Sequence, residues 1–149
     1  MTEPAELVLQ NYSLIQQVFL IGDDLDRRLL ASYNLSVSRF FLLKHLSERG
    51  PQSAGELCAL LLCDKANVTR LLDGLEREQL VSRDPDQHDG RRTRISLTPA
   101  GETRLKQAAE AYRTSVIDRF SSMSDREKSD LNEILNSVKR TLQGQFSNA

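Results

Sequence analysis

A chain of 149 residues has the usual length of one domain, and its apolar fraction of 39% and charged fraction of 28% exclude a disordered or membrane-embedded class. The 20 Lys+Arg against 21 Asp+Glu exclude a generic polycation. The balance is also even along the chain, with five bases against six acids in 1–50, seven against eight in 51–99 and eight against seven in 100–149, so any role on nucleic acid must come from where charges sit.

From Pro4 to the Asn34 region, Leu7, Tyr12, Leu14, Ile15, Val18, Leu25 and Leu29 recur at helical spacing, with Gly22 a weak point. Ser36 is a good N-cap for a second helix through Phe40, Leu43 and Leu46, which Gly50-Pro51 stops. Ser53-Ala54-Gly55-Glu56 is a capping box that opens a short helix to about Leu61. After a turn through Leu62-Cys63, Asp64 caps a fourth helix to about Glu78. Leu80–Arg83 and Thr93–Leu97 read as strands of a hairpin, joined by the turn-rich loop Pro85–Arg91. In the second strand, Thr93, Ile95 and Leu97 share one face, and Arg92, Arg94 and Ser96 the other. Thr98-Pro99 then starts a long helix with the stripe Leu105, Ala108, Ala109, Tyr112, Val116 and Phe120. A second capping box, Ser124 to Glu127, opens a last helix with the stripe Leu131, Ile134, Leu135, Val138 and Leu142.

This order predicts a mainly α fold with a small β-wing. It is a winged helix-turn-helix (35–99) flanked by N- and C-terminal dimerisation helices (1–34 and 100–149), all in one domain spanning 1–149. Long amphipathic helices need a partner for their stripes, and a homodimer supplies one most simply.

On the helix after Asp64, Val68, Leu71, Leu72 and Leu75 form a core face. Ala66, Arg70, Asp73 and Arg77 lie opposite, flanked by Lys65 and Thr69. Small, hydrogen-bonding and basic residues in its first two turns suit entry into a major groove about 12 Å wide, and Asn67 can reach a base or phosphate. Asp73 and Glu76 confine such contact to the N-terminal half. The same pattern also fits an ordinary solvated face. The hairpin adds Arg91, Arg92 and Arg94, a pattern suited to a narrow minor groove.

Other classes find little support. The longest apolar run, Leu57 to Cys63, is far short of the ~20 residues of a membrane span. No basic residue precedes Arg27, unlike a secretory signal, and two thiols without a disulfide framework read as cytoplasmic. There is no GxGxxG, P-loop, HExxH or GxSxG, so neither an enzyme nor a cofactor is expected. Cys63, His45 and His88 lack ligand spacing, so no metal is expected. A protein-interaction module remains a rival reading, on Asp73, Glu76, Asp84 and the apolar Leu60; an enzyme has only His88-Asp89.

Ser53-x-x-Glu56-Leu57, Asp64 to Glu76 and Leu80-Val81 resemble the winged helix-turn-helix of MarR-type transcription regulators. Asp89-x-Arg91-Arg92 and Leu97-Thr98-Pro99-x-Gly101 are the most specific part, and the resemblance covers about 35–145. It implies a homodimeric repressor on a pseudo-palindromic operator in double-stranded DNA. Lys65, Ala66, Asn67, Thr69 and Arg70 would enter the major groove, Arg91 would form the wing tip with Asp89 orienting it, and Ser53 would hold a phosphate. Three departures stand out. Leu62 and Gln79 replace frequent glycines, costing about 1–2 kcal/mol each if the backbone there is left-handed. Ala59 and Leu60 make the outer face of the short helix apolar, a possible added contact surface.

The resemblance also implies release by a small aromatic or phenolic effector, with Tyr12, Arg39, Phe40 and Tyr112 as candidate pocket residues. Some members respond to oxidants. Cys63, at the start of the recognition helix, and Cys58, where helices pack closely, are the candidates here. The helix dipole lowers a thiol pKa at Cys63, whereas Asp64 raises it.

Overall fold

The capping chemistry read from the sequence is present at Ser36, Ser53, Asp64 and Ser124. Ser36 Oγ accepts the Arg39 N–H at 3.2 Å and Asp64 Oδ1 the Asn67 N–H at 2.8 Å. Both capping boxes close: Ser53 N–H donates to Glu56 Oε2 and Ser124 N–H to Glu127 Oε2, each at 2.8 Å, with the hydroxyls accepting in return at 3.2 Å. In the computed structural model, which describes residues 4–147, the elements run α1 (Pro4–Ala31), α2 (Val37–Arg49), α3 (Ala54–Leu61), α4 (Lys65–Arg77), β1 (Val81–Pro85), β2 (Thr93–Leu97), α5 (Pro99–Arg119) and α6 (Asp125–Ser147). No helix among the described residues is long and apolar enough to cross a membrane.

Gly22 does not interrupt α1, which continues to Ala31. The first strand differs from the expected Leu80–Arg83. Leu80 is buried, and its N–H bonds the Leu75 carbonyl at 2.9 Å, finishing the α4 exit instead of entering the ladder. The ladder therefore starts at Val81 and runs on to Pro85, paired antiparallel as Val81 with Leu97, Arg83 with Ile95 and Pro85 with Thr93. Proline is tolerated there, at the end of an edge strand. The other edge of β2 pairs with Gln52, whose N–H and C=O bond Ile95 at 3.0 and 2.7 Å. This third rung ties the residue before Ser53 to the hairpin.

Packing divides the chain at Tyr112 into two compact units. The first has a core of Leu30, Phe40, Leu42, Leu43, Leu46, Leu57, Val68, Leu72, Leu75, Leu80, Val81, Ile95, Leu105 and Ala108. Truncating such a leucine to alanine costs about 2–5 kcal/mol. Val68, Leu72 and Leu75 lie on the core face read for α4, and Leu71 is half-buried. The α1 stripe is different: Leu7, Tyr12, Leu14, Val18 and Phe19 are exposed. In the second unit, α6 buries none of its described residues, and Ile134, Leu135 and Leu142 face outward.

Leu62 (φ 51°, ψ 40°) and Gln79 (φ 58°) are both left-handed, so the two glycine replacements do meet the strained backbone. A glycine keeps its place at 101 for a steric reason. Thr98 N–H donates to Leu80 O (3.1 Å), Thr98 Oγ1 donates to Gln79 O (2.6 Å) and accepts the Gly101 N–H (3.0 Å). A Cβ at 101 would overlap the Leu80 carbonyl oxygen. The Thr-Pro-x-Gly signature is thus the lock between the exit of α4 and the start of α5.

Two substitutions test this backbone account in urea denaturation. Gly101→Ala lowers stability by about 2–3 kcal/mol through overpacking against backbone. Leu62→Gly raises it by about 0.5–1 kcal/mol, the relief of strain exceeding the added chain entropy. An unchanged midpoint for Gly101→Ala, or a fall for Leu62→Gly, contradicts it.

Candidate nucleic-acid interface

The N-terminal half of α4 presents Lys65, Ala66, Asn67, Thr69 and Arg70 to solvent. Asn67 is partly committed, its Nδ2 donating to Asp64 Oδ2 at 3.2 Å. Ser53 Oγ accepts the Glu56 N–H, which leaves the hydroxyl proton for an outside acceptor. Ser53, Lys65 and Arg92 line one open cleft between α3, α4 and β2. Asn67 and Arg70 line another with Ser38 and Arg39 of α2. Sequence reasoning missed Ser38 because α2 carries no DNA signature of its own.

At the hairpin tip, Asp86 N–H bonds Arg92 O at 2.8 Å and Arg92 N–H bonds Asp89 O at 2.9 Å. Asp89 Oδ1 accepts the Arg91 backbone N–H at 3.1 Å, while its Oδ2 lies 3.7 Å from Arg92 Nε. Among the described residues of α4 and the hairpin, the side chains of Lys65, Arg70, Arg77 and Arg91 have no carboxylate partner, and Arg77 at the far end of α4 donates to the Asp73 carbonyl instead.

Arg83 and Arg94 are placed differently. Arg83 Nη2 donates to Asp73 at 2.6 Å, and its Nε stands 2.8 Å from Glu76 Oε2. The acids expected to limit DNA contact on α4 thus hold β1. Arg94, read from sequence as an outward wing arginine, donates from Nε to Asp86 Oδ2 (2.7 Å) and from Nη1 to Glu56 Oε2 (2.8 Å). Asp86 also accepts the N–H groups of His88 (2.8 Å) and Asp89 (3.2 Å), an Asx turn at the wing root. The His88 N–H bond, then Arg94, then the Asp89 N–H hold its carboxyl down to about 2. Glu56 is lowered first by the Ser53 N–H and further by Arg94, against desolvation.

A sequence model of the MarR family matches residues 35–93. The uncharacterized HTH-type transcriptional regulator YpoP of Bacillus subtilis is 30% identical over 104 residues, covering 70% of this chain and 74% of its own. The chain belongs to the MarR family. It is a transcription regulator of that family, and the fold is a MarR winged helix. The HTH-type transcriptional repressor IacR of Pseudomonas putida is 26% identical over 116 residues, with 78% of this chain and 70% of that one covered. The crystal structure of the transcriptional regulator BldR from Sulfolobus solfataricus superposes with a TM-score of 0.77 at 28% identity, covering 91% of this chain and 99% of that one.

The four effector candidates of this MarR-family chain are only partly brought together. Phe40 and Tyr112 pack with ring centroids 5.0 Å apart, and Phe41, which the sequence did not single out, joins them at 5.3 and 6.2 Å. Tyr112 OH reaches Asp26 Oδ2 at 3.5 Å. Arg39 lies over Gly74, where any Cβ would strike its guanidinium, and pairs with Glu78 at 3.3 Å; Arg104 pairs with the other Glu78 oxygen. Tyr12 is exposed on α1, outside the residues packed on the core. Cys58 and Cys63 are both free and half-buried. Burial pushes the Cys63 thiol up, and Cys58 and then Asp64 add to it. Among the described residues no group of three or more His, Cys, Asp or Glu is placed to hold a metal.

The wing root carries a pH signature. A carboxyl held below its ordinary value of 3.8 stabilises the fold fully above that pH and ceases to do so as pH falls through about 2. Carboxyl NMR of Asp86 should show a midpoint near 2, whereas a midpoint at 3.8 contradicts the three-donor cradle.

Proposed function

We propose that this MarR-family regulator is a cytoplasmic homodimeric repressor that reads a pseudo-palindromic operator in double-stranded DNA and is released by a small aromatic or phenolic effector. The observation that carries the reading is the placement of the cations without carboxylate partners. Lys65 and Arg70 stand on the exposed first turns of α4, and Arg91 stands at the wing tip. In this reading Lys65, Ala66, Asn67, Thr69 and Arg70 enter the major groove, Arg70 offering two donors to a guanine. Arg91 and Arg92 enter the adjoining minor groove, and Ser53 donates to a phosphate.

The repressor assignment draws support from the name of IacR. Residues 1–34 and 100–149 act as dimerisation helices around the reading module 35–99. The exposed Leu14, Val18 and Phe19 of α1, and Ile134 and Leu135 of α6, support this, because faces so apolar favour burial against another chain. The Phe40–Phe41–Tyr112 cluster supports an aromatic effector. Arg39 would receive the effector's acid group by exchanging Glu78 for it.

Binding to the DNA adjoining its own gene, measured across a salt series, tests the reading. Arg70→Ala should cost about 1–3 kcal/mol and relax base preference, while Arg91→Ala should weaken all sequences and lower the salt slope by about 1. If both variants bind like the parent, the interface is misassigned. Sedimentation should give twice the 16.9 kDa chain mass, and Phe19→Glu should shift it toward one chain; a parent sedimenting as one chain contradicts the dimer.

A further inference from the structure

Arg94 looks in the sequence like one more wing cation, yet its surroundings are those of a strut. Its guanidinium is gripped by Asp86 at 2.7 Å and Glu56 at 2.8 Å, and the group of three carries a net charge of −1. That sign repels phosphate. The Asp86 side chain is only 11% exposed, and its other oxygen accepts both the His88 and Asp89 N–H groups. Glu56 Oε2 is shared between Arg94 and the Ser53 N–H. A continuous run of hydrogen bonds therefore leads from Ser53 at the α3 N-terminus through Glu56, Arg94, Asp86 and Asp89 to the backbone N–H of Arg91. Its two ends are residues assigned above to phosphate and minor groove.

We infer that Glu56, Arg94 and Asp86 form a positioning bracket that holds the wing tip at a fixed distance and angle from α3, with Arg94 making no DNA contact. The inference rests on the DNA-reading assignment above and deepens it. A planar guanidinium can bridge two carboxylates on different elements, and an ammonium cannot do so with the same geometry. The bracket lies beside the Gln52–Ile95 rung, so the strand edge and the side chains pin the same corner of the hairpin.

Electrostatics and positioning predict opposite signs. If the acids merely neighbour the DNA, Asp86→Asn and Glu56→Gln remove negative charge and tighten binding. The bracket predicts instead that each weakens operator binding by about tenfold, as does Arg94→Gln, and that Asp86→Asn with Arg94→Gln is no worse than either alone. Arg94→Lys fails to rescue, although a phosphate contact would tolerate it. In the Arg91→Ala background Asp86→Asn has little further effect, because the contact that it positions is already gone. A readout without DNA accompanies these: amide exchange at His88, Asp89 and Arg91 quickens in Asp86→Asn and Arg94→Gln while the thermal midpoint stays near the parent's. Specific binding by the parent with tighter or unchanged binding by Asp86→Asn, with rescue by lysine or with unchanged exchange, overturns the bracket alone. A parent without operator preference overturns the DNA reading and the bracket's role in it.

Discussion

A two-stranded ribbon is marginal on its own, and its direction in space has to be supplied by what it leans on. Here three attachments supply it. Ile95 is buried in the core and bonds Gln52 across the outer edge of β2. Arg83 and Arg94 project from opposite faces of the ribbon, since Arg83 is paired with Ile95 and Arg94 is its neighbour along β2. One grips α4 through Asp73 and Glu76, and the other grips α3 through Glu56. Wing and helix-turn-helix are therefore oriented together, and a reader that inserts both into DNA depends on that orientation.

The same pairing explains how a chain of net charge −1 can address a polyanion. Arginines that brace the fold are neutralised by nearby acids. Among the described cations without carboxylate partners on α4 and the hairpin, Lys65 and Arg70 are at the helix start and Arg91 at the wing tip, while Arg77 at the far end of α4 bonds the Asp73 carbonyl. Such a surface has weak attraction for DNA in general and concentrates its contacts where base edges and groove width can be read. Near-neutrality and specific reading are compatible for this reason.

Local chemistry made much of the fold legible. Ser36, Ser53, Asp64 and Ser124 announce helix starts because a cap involves residues only three apart, and the alternation around Ile95 announces a strand for the same reason. The exposed start of α4 followed from helical periodicity. Illegible were interactions spanning the chain: Arg94 with Glu56, 38 residues away, and the Gln52 rung. An arginine in a strand has two faces and several acids within reach, and periodicity does not choose among them. Leu80 misled the strand assignment because its side chain suits β structure while its N–H is needed to finish α4. Leu62 and Gln79 show the limit of residue preference, since tertiary closure holds both in a conformation that suits glycine.

The central claim is that a paired, rigidly braced wing and recognition helix read DNA as two related copies. Hydroxyl-radical footprinting on the adjoining promoter tests it most directly. The account predicts two protected half-sites with centres about one helical turn, roughly 10 base pairs, or a multiple of it apart, each with minor-groove protection alongside. Protection confined to one half-site, or spread without sequence boundary, contradicts it.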